Sequence, residues 1–71
     1  MTAIETVWEQ IKSAAHDYAK TGARLDMRDA ESTVVKFLRE AHVAPWPSAD
    51  VIEFYANELL VLVERDRLTV R

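Results

Sequence analysis

One glycine, Gly22, and two prolines, Pro45 and Pro47, are the strongest backbone breakers in a chain of 71 residues. They leave three long stretches with nothing to stop a helix. In each stretch apolar residues return at intervals of three and four, which at 3.6 residues per turn places them on one face. The chain is therefore expected to be all-α, a three-helix up-down-up bundle with helices over about 3–20, 27–43 and 49–66. Connections this short favour antiparallel neighbours. A long hairpin with an exchanged third helix would carry the same pattern, so the sequence leaves open whether the bundle closes within one chain or two.

The ends of these helices are written in local chemistry. Thr2 and Glu5 have the spacing of a capping box, in which each side chain reaches the other's backbone N–H. Val7, Trp8, Ile11, Ala15 and Tyr18 then form one stripe, and Gly22 stands where a left-handed residue closes a helix. The second helix is expected to start after Asp26 as N-cap, with Leu25 and Ala30 spaced as a hydrophobic staple. It should stop near Val43 or Ala44, because the residue before a proline avoids the helical region and Pro45 has no N–H to give. Pro45 and Pro47 hold the backbone on both sides of Trp46, whose indole is expected to plug one end of the bundle. Ser48 or Asp50 caps the third helix, and Asp50 with Glu53 would make a second box. The tail 67–71 continues that helix, frays or turns extended; β-branched Thr69 and Val70 lean to the last.

The length predicts a single helical domain over 1–71, close to the lower limit at which one apolar core holds a fold unaided. Such chains rely on disulfides, a metal, close helix packing or self-association. The chain has no cysteine, which removes disulfides and thiolate metal sites together. His16 and His42 are too few for a structural zinc without carboxylate help. No metal and no cofactor is expected, and packing or self-association has to supply the stability.

A net charge of −3 with scattered basic residues argues against nucleic acid as the partner, since phosphate binding needs a concentrated basic face. The first residues carry neither a positive segment nor an apolar run, and no stretch approaches the roughly 20 apolar residues of a membrane span. A cytoplasmic protein with no membrane partner is the expectation. In type, a short acidic helical chain richer in arginine than lysine is similar to small bacteriophage or accessory bacterial gene products.

The third helix carries more apolar surface than one core-facing side requires. Ile52, Tyr55, Ala56, Leu59, Leu62 and Val63 share one face. Phe54 and Val61 lie seven apart on roughly the opposite one, continued by Leu68, flanked by Glu58 and Arg65, and widened by Val51 and Leu60. Three arrangements fit. A central, tilted third helix could bury both sides, the outer stripe could be a homodimer seam, or it could receive a second protein with an apolar or basic surface.

Reaction chemistry has little to stand on. There is no nucleophile-elbow serine, no glycine-rich phosphate loop and no H-E-x-x-H. His16 and its neighbour Asp17 point about 100° apart on a helix and cannot grip one ion together. His42 is expected in the last turn of the second helix, at the negative end of its dipole. Trp8 and Tyr55 fall on core stripes. The one route left to an enzyme is a site between two copies, with Arg24, Arg28 and Arg39 as carboxylate or phosphate binders.

A non-enzymatic protein–protein interaction module is therefore expected, of adaptor or inhibitor type, most simply a homodimer. Phe54, Val61, Leu68, Glu58 and Arg65 would form its contact. The alternative is a small helix-turn-helix-like DNA-binding regulator. That motif needs a tight turn and a basic recognition helix, whereas the third helix carries Glu53, Glu58, Glu64 and Asp66.

Overall fold

The computed structural model describes residues 3–22 and 24–69, with Thr69 as backbone only. Its helices are α1 (Ala3–Thr21), α2 (Met27–Glu40) and α3 (Ala49–Thr69), packed against one another with no strand among the described residues. The bundle expected from the spacing of apolar residues is what forms.

Helix α1 buries Val7, Ile11 and Ala15, the middle of its stripe, and sets Trp8, Ala14 and Tyr18 around them. Gly22 takes φ +69 just past its end, in the left-handed region open to a residue without a Cβ. The Thr2 half of the proposed capping box lies outside the described residues.

Helix α2 opens as expected. The Asp26 carboxylate accepts from Asp29 N–H at 2.8 Å, and the Asp26 carbonyl accepts the first helical bond from Ala30 N–H at 2.9 Å. Leu25 and Ala30 both belong to the packed core, as a staple requires. The other end differs from the expectation. α2 stops at Glu40, several residues short of Pro45, and the proline is not the cause. His42 adopts φ +53, its N–H donates to Arg39 O at 3.1 Å, and Val43 N–H donates to Leu38 O at 3.1 Å. This pair of bonds is the Schellman arrangement, with His42 as the left-handed residue. It turns the chain back so that Val43 packs on the core, next to the turn of helix it caps. His42 is thus beyond the last turn, exposed and outside the helix whose dipole it was expected to face.

The connection 41–48 contains a cis Ala44–Pro45 bond. Trp46 does not plug the bundle, because its side chain is 49% exposed and stands outside the packed cluster. The prolines constrain the backbone there, the indole faces outward, and Ala41 and Val43 are the apolar residues of this connection that reach the core.

Ser48 caps α3. Its hydroxyl accepts from Val51 N–H at 3.4 Å and its carbonyl from Ile52 N–H at 3.1 Å, so the cap falls on Ser48 and the Asp50–Glu53 box is not needed. α3 runs to Thr69, beyond the expected Asp66. Residues 67–69 neither fray nor extend, while residues 70–71 lie outside the described set. The Arg67–Glu64 pair at 3.3 Å spans the last turns, and a cation there suits the dipole's negative end. These small gains offset the weak helix preference of Thr69.

Helix α3 is the middle of the molecule: it packs against both α1 and α2, which meet each other less. The Cα trace measures 39 × 25 × 14 Å, flatter than three helices about 9 Å apart at the corners of a triangle would be. The core is Val7, Ile11, Ala15, Ala30, Val34, Leu38, Ala56, Leu59 and Val63, with no buried polar side chain among the described residues. Alanines let the backbones approach, and Leu38, Leu59 and Ile11 supply the volume. With neighbours on two sides, α3 buries a wide arc, and Leu60, placed by its spacing beside the outer stripe, packs on the core instead.

Candidate interaction surface on the third helix

Central placement of α3 does not bury its outer stripe. Phe54 is 55% exposed, Val61 49% and Leu68 70%, and Val51 is also exposed. Successive members are seven residues apart, so each stands about 10.5 Å further along the helix and is rotated by only about 20°. The three make a strip about 21 Å long, on the side of α3 turned away from Leu59.

One end of the strip is supported from beneath. The Trp8 indole, from α1, meets Phe54 edge-on with centroids 6.5 Å apart and Tyr55 edge-on at 5.0 Å. Phe54 and Tyr55 are 5.9 Å apart. Contacts of this kind are worth about 0.5–1.5 kcal/mol each beyond area burial. They hold the Phe54 ring in place while leaving its outer half in water. The spacing alone assigned Trp8 to the core; the structure gives it a second role, as the support of an exposed ring.

The charged residues are sorted by flank. Glu58 is half-buried and Arg65 exposed, and by helical phase both fall on the flank of Tyr55, which Trp8 of α1 meets. On the other side are Asn57 and Glu64, the latter ion-paired with Arg67. A shallow notch of about 350 Å³ lined by Asp50, Glu53, Phe54 and Asn57 borders the Phe54 end. Phe54, Val61, Leu68, Glu58 and Arg65, picked out from the sequence, therefore share one surface.

A second surface holds two of the three arginines singled out as carboxylate or phosphate binders. An open groove of about 820 Å³ runs along α2, lined by Arg28, Glu31, Val35, Lys36, Arg39 and Ile52, among others. Arg28 and Arg39 are both in it, whereas Arg24 is not. The recurrence of Arg28, Ser32, Val35 and Arg39 at helical spacing was the available signal, but the groove depends on where the start of α3 lies beside α2.

Among the described residues no group of three histidine, aspartate or glutamate side chains could hold a metal ion, and His16 and His42 are both exposed. No described helix is long and apolar enough to cross a membrane. Compared with protein-family models, curated proteins and solved structures, the chain matches none.

Proposed function

We propose that this protein is a small non-enzymatic interaction module, of adaptor or inhibitor type, whose working surface is the outer strip of α3 and whose first partner is a second copy of itself. One observation carries the reading: Phe54, Val61 and Leu68 stand in line and about half or more exposed, on a helix that packs against both of its neighbours. Single exposed apolar residues are ordinary on a protein surface; aligned ones bordered by charge are characteristic of contact surfaces. The setting is cytoplasmic, as for small phage or accessory bacterial products.

The expected strength follows from the exposure. Fully burying such a side chain is worth about 1.5–3 kcal/mol, and about half of that remains to be gained at each of the three positions. Over two protomers the gain is about 6 kcal/mol, set against an association cost of several kcal/mol. Little of the gain is left after that cost, so the dimer is weak, with a dissociation constant of about 1 mM or higher. Sedimentation equilibrium up to about 1 mM tests it: the wild type should show a concentration-dependent dimer and Phe54→Glu a monomer of unchanged helicity. A wild type that stays monomeric throughout rejects the homodimer.

A further inference from the structure

We infer that two copies dock their α3 strips antiparallel, about a two-fold axis passing beside Val61. This rests on the reading of the strip as a self-association surface and adds its geometry. With the axis at Val61, Phe54 of one copy stands opposite Leu68 of the other, so the large ring at one end meets the most exposed aliphatic side chain at the other. Every apolar member of the strip then has an apolar partner, and Val61 meets its own copy.

The flanks decide the direction. A two-fold axis that reverses the helices brings like flanks together, whereas one that keeps them parallel brings opposite flanks together. Glu58 lies three residues before Val61 and Arg65 four after it, both on the Tyr55 flank. In the antiparallel arrangement Glu58 and the partner's Arg65 come within about one residue rise, 1.5 Å, along the axis, and the pair occurs twice. On the other flank Asn57 meets the partner's Glu64 in the same way, an amide facing a carboxylate. In the parallel arrangement Glu58 faces Asn57 instead, Arg65 faces Glu64, and Phe54 must stack on its own copy while Leu68 meets Leu68. Both directions bury the strip and set Arg65 against a carboxylate, but the parallel one uses Glu64, which Arg67 already holds at 3.3 Å, whereas the antiparallel one uses Glu58. Helix dipoles also favour opposed axes.

The test uses charge exchange on the full chain, with sedimentation equilibrium as the readout and circular dichroism as the check on folding. Glu58→Arg and Arg65→Glu should each weaken the dimer about tenfold, because each sets two like pairs where two opposite pairs stood. The double variant E58R/R65E should return to within about twofold of wild type. A double variant as weak as R65E overturns the antiparallel register while leaving self-association standing. A wild type that is monomeric up to about 1 mM overturns both. Disulfide trapping gives a second readout at two exposed positions in a chain that has no cysteine of its own. In an oxidised equimolar mixture of Asn57→Cys and Glu64→Cys chains, the mixed disulfide should form faster than either symmetric one. Preference for a symmetric disulfide contradicts the register.

Discussion

The chain contains a built-in comparison of two helix ends. Gly22 follows α1 at φ +69 and His42 follows α2 at φ +53, so the same left-handed role is filled once by glycine and once by histidine. An L residue in that region brings its Cβ against the following carbonyl at a cost of about 1–2 kcal/mol, and histidine, which visits it more readily than most, sits at the low end. His42→Gly removes that cost but adds freedom to the unfolded chain, worth about 0.4–1 kcal/mol in the other direction. The net expectation is a stabilisation of about 0.5 kcal/mol. In a domain this size that is about 2–4 °C in melting temperature. His42→Ala keeps a Cβ and removes the imidazole, so H42G compared with H42A isolates the backbone contribution from any side-chain effect. The reverse change, Gly22→Ala, should cost a similar amount. A Cβ at that position meets nothing within 4 Å, so its effect is conformational and not steric. The assay is urea unfolding followed by far-UV circular dichroism, at one protein concentration because self-association adds to apparent stability. If H42G gains nothing over H42A, or G22A is neutral, the account of how α1 and α2 end is wrong.

Other consequences are more direct. Leu38→Ala removes one of the largest wholly buried side chains and should cost about 2–5 kcal/mol, enough to unfold much of a small domain, as read by the same urea titration. Asp26→Ala leaves Asp29 N–H without its side-chain acceptor and should cost about 1 kcal/mol, while Asp26→Asn should cost much less. Trp46, 49% exposed, and Trp8, packed on the core, should separate by fluorescence. Acrylamide should quench the Trp8→Phe variant strongly and Trp46→Phe weakly, and equal quenching would place the Trp46 indole against the bundle.

What the sequence disclosed, and what it withheld, follows the range of each interaction. Asp26 is legible as a cap, and Ser48 as one of two candidates beside Asp50, because a carboxylate or hydroxyl bonding an N–H three residues on is local chemistry. The orientation of Phe54 and Val61 away from Leu59 was likewise readable, since it is phase arithmetic on one helix. The end of α2 was misread because proline is a conspicuous stop signal and histidine is not, although His42 closes the helix before Pro45 can act. Trp46 was misread because prolines constrain a backbone without saying which way it faces. Leu60 was assigned to the outer strip because one helix read alone has two sides, whereas α3 has neighbours on both flanks and a wider buried arc. The α2 groove needs the relative placement of two helices, which no single-helix pattern contains.

The central claim is that the solvent-facing strip of α3 is a contact surface, and a dilution series of amide and side-chain NMR spectra from about 1 mM downward locates such a contact residue by residue. The account predicts concentration-dependent shifts centred on Phe54, Glu58, Val61, Arg65 and Leu68, with Arg28, Val35 and Arg39 in the α2 groove unmoved. Spectra that do not change with concentration, or shifts confined to the α2 groove, would contradict it.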